Sequence, residues 1–302
     1  TTFSQGDILS AGSMNQNFKH LQDQFSLNKK EIDCSTDNLT QKINQGYNHL
    51  VIDGNCSVKN LFMGLFDISP YCGHSQANNK IQRLMISGKT GKSSDTLTIN
   101  GSANCDSQIG VFHGATLWVS DITINLSGSI MANHSGNIRM RNVIVAGGSS
   151  DPEIIATSVG HIQLENFTTT THGFGAGSGS NLEADNVSIL YLDVQKNSSA
   201  YIKNSTINCS AKDINCVKVE SMSSISFVNS TITGGANKEA IDLYSHSLVD
   251  LEDSTVNSTK TSSIKVWGPY SVLNADSNTT INGTVTCGND VRAWKDGTDL
   301  CP

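Results

Sequence analysis

The chain has 302 residues, only 16% of them charged and 37% hydrophobic, with four Pro and abundant Ser, Thr, Asn and Gly. That composition suits short strands and polar turns in one extended core rather than two average domains. A net charge of −7 argues against nucleic acid, whose phosphates require concentrated Lys and Arg. It favours a neutral or weakly charged partner.

In chain order, the opening TTFSQGD carries no Met followed by a charged and then apolar leader, and reads as a secreted chain already processed. Met14, Phe18, Leu21 and Phe25 follow a 4,3,4 spacing behind Ser13 and Gln16. This predicts a capped amphipathic helix in an N-terminal segment, 1–40. The stripe falters at Asn28 and resumes at Ile32. Two roles are open to it: covering the end of the domain that follows, or self-association as a homo-oligomer, a trimer included. Next, LTQKINQGYNHLVIDGNCSV reads as a short helix, a turn and a first strand. No run approaches the roughly 20 apolar residues of a membrane-spanning helix.

The central part is a repeat. LWVSDITIN, IRMRNVIVA, IQLENFTTT, LEADNVSIL, AYIKNSTIN, ISFVNSTIT and VDLEDSTVN share one template. Two apolar residues two apart are followed by Asn or Asp, and then by a second alternating run. Period-two alternation predicts strands buried on one face, and the Asn or Asp a tight corner, because these residues tolerate left-handed backbone angles. The corners are Asp121, Asn142, Asn166, Asn186, Asn204, Asn229 and Asp253. A further strand precedes each template by eight residues, starting at Ile109, Ile130, Ile154, Phe174, Leu192, Val217 and Ile241. The coil with Ile264 and Val266 fits, but its next segment is one residue out of step, as a bulge would make it. The expected fold is all-β: a right-handed parallel β-helix over 41–286, with eight or nine three-stranded coils and an Asn ladder.

These corners resemble the pectate-lyase-like β-helix superfamily, whose coils carry an Asn ladder between the second and third strands. The likeness covers about Ile81 to Cys287. It implies a secreted or cell-surface bacterial protein with its substrate groove on the outward face of the first strand. The opening FSQGDILSAGSMNQNF resembles those of secreted bacterial and phage fibre-like proteins.

Eight Cys, none in a zinc-like spacing, point to disulfides in an oxidising compartment. Cys209 with Cys216 and Cys287 with Cys301 are placed to close locally, the latter pair fixing a C-terminal cap at 287–302. More than a dozen N-x-[ST] sequons occur. Those at Asn166, Asn186, Asn204 and Asn229 coincide with corners and are expected to be buried, which makes them a by-product of turn chemistry.

Outward residues of the first strand form two columns. One reads Gly110, Met131, Ile155, Gly175, Asp193, Lys218, Asp242 and Lys265; the other Phe112, Asn133, Thr157, Gly177, Gln195, Glu220, Tyr244 and Trp267. The last four coils join charges to aromatics. Asp193, Glu220 and Asp242 are the candidate catalytic carboxylates for glycoside hydrolysis or lysis, and Lys218, Tyr244, Lys265 and Trp267 the candidate ligand-binding residues. Alternating Asp and Lys also serves a parallel ladder by keeping like charges apart. The superfamily's catalytic sets do not appear together: Gly160 with His161 and Gly73 with His74 lack partners, and Arg83, Arg139, Arg141 and Arg292 miss both columns. His113, His134, His172 and His246 read as solvated turn residues. No metal or cofactor is expected. The first reading is a polysaccharide-binding or adhesive protein, the second a polysaccharide lyase or glycoside hydrolase acting on the same face.

Overall fold

The computed structural model describes residues 28–64, 82–100, 107–126, 128–147, 153–235 and 237–301. The helix expected around Met14 to Phe25 lies outside them, as do Cys72, Cys105 and the Gly73 and His74 pair. Among the described residues the chain is a parallel β-solenoid of about ten turns. Every inward pair of the first strand, from Ile109 and Val111 to Ile241 and Leu243, is buried in one continuous core. The register is the one the eight-residue offset requires: Ile109 pairs with Ile130, Ile130 with Ile154, Phe174 with Leu192, and Val217 with Ile241.

All seven corner residues have positive φ, between 47° and 57°. The ladder joins coils through Asn142 Nδ2 to Asp121 Oδ1 (2.6 Å), Asn186 to Asn166 (2.6 Å) and Asn229 to Asn204 (2.9 Å). Asn204 instead donates to Asp185 (2.9 Å). These side chains stay at the surface, half-exposed or exposed, so burial does not account for the four sequons. The residue after the corner is the one that goes inside. Ser205, Ser230, Ser254 and Thr279 are buried, and each hydroxyl accepts from the backbone N–H at the matching position one coil earlier, at 3.1–3.3 Å. A left-handed corner turns Cβ of the next residue inward beside an N–H that would otherwise be orphaned, and a short hydroxyl satisfies it.

Between first and second strands the chain turns through two successive positive-φ residues, such as Ser221 and Met222 or Ser245 and His246. In the last full coil this turn contains one extra residue, with Gly268 at φ 75° and Tyr270 at φ 62°. The expected bulge is therefore a longer turn, and the strand beyond runs in unbroken register, Val249 against Leu273 and Leu251 against Ala275. Gly268 is required twice over, since a Cβ there would lie 2.6 Å from Ser245 N.

At the N-terminal end, Ile32 belongs to the strand Lys29–Asp33 and not to a helical stripe. A six-residue helix, Leu39–Asn44, is capped by the Asn38 side chain accepting from Gln41 N–H, and sends Leu39 and Ile43 into the core. At the other end the tail adds a strand. Arg292–Lys295 pairs in parallel with Val272–Ala275 and carries a two-residue antiparallel return, Thr298–Asp299. That return blunts the last edge.

Coil length varies while the core positions keep their register. From Leu182 to Ala200 is 18 residues and from Ala200 to Ile225 is 25. The difference falls in the connection from the third strand to the next first strand. It takes three residues from Ile189 to Leu192 and ten from Ile207 to Val217.

Candidate functional site

The first-strand sheet stacks both expected columns. Gly110 pairs with Met131, Ile155 with Gly175, and Asp193, Lys218, Asp242 and Lys265 follow in successive coils. In the early coils Phe62, Phe112 and Met131 form a small apolar group. In the late coils neighbouring side chains sit about 4.8 Å apart, and Asp193 and Asp242 about 9.6 Å apart by two strand spacings.

The late cluster is closely bonded. Asp242 is 3% exposed. Its Oδ2 accepts from Tyr244 Oη at 3.0 Å and from Asn215 Nδ2 at 2.7 Å, while Oδ1 has no protein partner among the described residues. Burial raises the Asp242 carboxyl above its usual range, against the pull of Tyr244 and of Lys265. The Tyr244 hydroxyl is pushed up to about 12 by burial and by the Asp242 charge. Lys218 Nζ holds Glu220 Oε2 at 2.9 Å, and this bond is the main reason its ammonium is raised. Lys265 Nζ stands 4.7 Å from the Trp267 ring centre and 5.7 Å from that of Tyr244. The two aromatics are thus no bare platform: an ammonium lies over both.

One wall of the site was invisible in the strand pattern. Cys209 and Cys216 are bonded, closing the long connection of that coil. The loop brings Asp213, Ile214 and Asn215 beside Tyr191, Leu192, Asp193, Lys218 and Lys238, around an open depression of about 400 Å³. Tyr191 belongs to the adjacent short connection and lies over Gly173, where a Cβ would meet its ring at 2.1 Å. The bonded Cys pair was the only sequence signal for this loop, and nothing in it foretold that Asn215 would reach Asp242.

Replacing both Cys209 and Cys216 by Ala is expected to lower stability by roughly 2 kcal/mol through restored freedom of the seven-residue loop. It also releases Asn215 from Asp242. Thermal melting with and without reductant checks the first effect, and ligand retention the second.

Other candidates lie elsewhere. A Cβ on Gly160 would be 2.2 Å from Ala132 O, so this glycine serves coil-to-coil approach. Arg83, Arg139, Arg141 and Arg292 lie on the second-strand sheet. His113, His134 and His246 are exposed, but His172 is fully buried, and burial pushes its pKa down to about 4. Sequence reasoning missed Asp95, a buried carboxylate that accepts from Gly54 N–H, Thr90 N–H and Oγ–H, and Gly91 N–H at 2.6–3.0 Å. It ties the loop before it to the preceding coil.

No family model, curated protein or solved structure matches this chain. The disulfides among the described residues, Cys34 with Cys56, Cys209 with Cys216 and Cys287 with Cys301, indicate an oxidising compartment. No helix among the described residues is long and apolar enough to cross a membrane.

Proposed function

We propose that this chain is a secreted or cell-surface β-helix protein that binds polysaccharide or a surface glycan along the outward face of its first-strand sheet. The observation carrying this reading is the depression beside Asp193, Asn215 and Lys218, walled by a disulfide-closed loop and bordered along the sheet by Glu220, Tyr244, Lys265 and Trp267. A sugar chain needs this mixture: carboxylates and amides for hydroxyls, ammonium groups for any acidic unit, and an aromatic ring for the sugar's apolar face. Placing the fold in the pectate-lyase-like superfamily, and the protein in bacteria, is part of the same proposal.

Trp267 is 43% exposed at the end of the row, so part of its ring is available although Lys265 stands over it. Trp267→Ala is expected to weaken retention on the matching polysaccharide about tenfold, the ~1.4 kcal/mol of one aromatic contact. Affinity electrophoresis against a panel of neutral and uronate polysaccharides measures this. Undiminished retention by the variant removes Trp267 from the site.

A second reading, a lyase or glycoside hydrolase, is favoured by one observation. Asp242 is a buried carboxyl with one unpartnered oxygen, and its ionisation is disfavoured, as a proton donor requires. In that reading Asp193 is the distant partner carboxylate, Glu220 holds Lys218, and new reducing ends or unsaturated products appear in the same panel.

A further inference from the structure

The third-strand sheet differs in kind from the other two. Its register aligns Thr206, Thr231, Thr255 and Thr280 in one outward rank. Two residues on, Asn208, Thr233, Asn257 and Asn282 form a second. The first rank continues back through Ser188, Thr168 and Ile144 to Thr123 and Thr96. No charged side chain stands in either rank over these strands, and no aromatic one. Thr suits an exposed strand on propensity alone, but propensity does not exclude charge. The outward column of the second-strand sheet in the same coils includes Arg141, Glu165, Asp185, Lys203 and Glu252.

The ranks are regular in two directions, about 4.8 Å along the solenoid and about 6.6 Å across it, by strand spacing and two-residue rise. Among the described residues, the hydroxyls of Thr206, Thr231, Thr255 and Thr280 have no protein hydrogen-bond partner. All are at least partly exposed. Their hydroxyls are therefore left to the solvent, spaced at the repeat that the backbone sets. The axial repeat is close to that of oxygen atoms along the a axis of hexagonal ice, and each Thr presents a methyl beside its hydroxyl.

We propose that this uncharged Thr and Asn face binds ice. A crystalline polysaccharide fits it less well, because sugar rings are gripped by aromatic stacking, which these ranks lack. The face is separate from the first-strand site, so the two readings stand or fall apart.

The test uses the whole chain, fluorescently labelled, in an ice-partition assay and in ice-recrystallisation measurements. The native protein is expected to be drawn into growing ice and to slow recrystallisation. The double variant T231Y and T255Y, which roughens the face with residues that strands accept, is expected to lose both effects while keeping its circular dichroism and melting temperature. Arg139→Gln on the second-strand face is the control and is expected to keep both. Exclusion of the native protein from ice overturns the proposal, as does full ice activity in the folded double variant. Retention on crystalline chitin or cellulose without ice activity, lost in the same double variant, overturns it in favour of a glycan.

Discussion

Asp95→Ala is expected to be the most damaging single substitution outside the aliphatic core, at about 3–5 kcal/mol, because it leaves several donors facing a buried void. Four hydrogen bonds from three residues converge on this carboxylate. Burial alone would raise its pKa, but the donors more than reverse that and hold it below the usual 3.8. A folded pKa below the unfolded one stabilises the native state at all pH values above the unfolded pKa, and that stabilisation fades as pH falls through the folded value. Denaturant titrations should therefore show native protein and Asp95→Ala far apart at neutral pH and converging in acid below about pH 4. A constant gap across that range would mean that the carboxylate's charge does not matter.

The opposite sign is expected at Asp242. Its carboxyl is raised by burial, so ionising it costs the native state, and that cost grows as pH rises from the unfolded value of 3.8 towards the folded pKa. Asp242→Asn keeps an oxygen able to accept from Tyr244 and Asn215 and removes the charge. It should melt higher than the native protein at neutral pH, by an amount on the order of 1 kcal/mol, with the gain vanishing in acid. The same variant should lose any polysaccharide cleavage entirely. Stability gained at the expense of activity is the mark of a residue kept for chemistry. A variant that is less stable at neutral pH makes Asp242 a structural acceptor instead.

The two carboxylates also show what the sequence reveals and what it hides. Strand phase, corners and outward columns were legible because two-residue alternation and left-handed corners are local properties of the chain. Asp193, Lys218, Asp242 and Lys265 could be stacked by counting alone. Counting could not show that Asn215 would crowd Asp242 into burial, or that Lys265 would occupy the faces of Tyr244 and Trp267. Those depend on connections whose shape no periodicity fixes. Asp95 was hidden for the same reason, since its donors come from a loop and from the coil before it. The Asn ladder was legible from its corners, but the buried Ser ladder beside it was not, because only the corner's φ decides that the next residue turns inward.

The uneven coil lengths have a consequence for how such a site is remodelled. The largest step between neighbouring late coils falls along one edge, where an 18-residue coil lies beside one of 25. The short coil forms a step and the long one a parapet above it. Residues can be added or removed at this edge without shifting any core side chain, since doubling a flexible loop costs only about 0.6 kcal/mol in closure entropy. The solenoid thus separates inheritance from improvisation. Three strand faces are held to a strict template, while one seam is free to change length and so to carve a new recess wherever neighbouring coils differ.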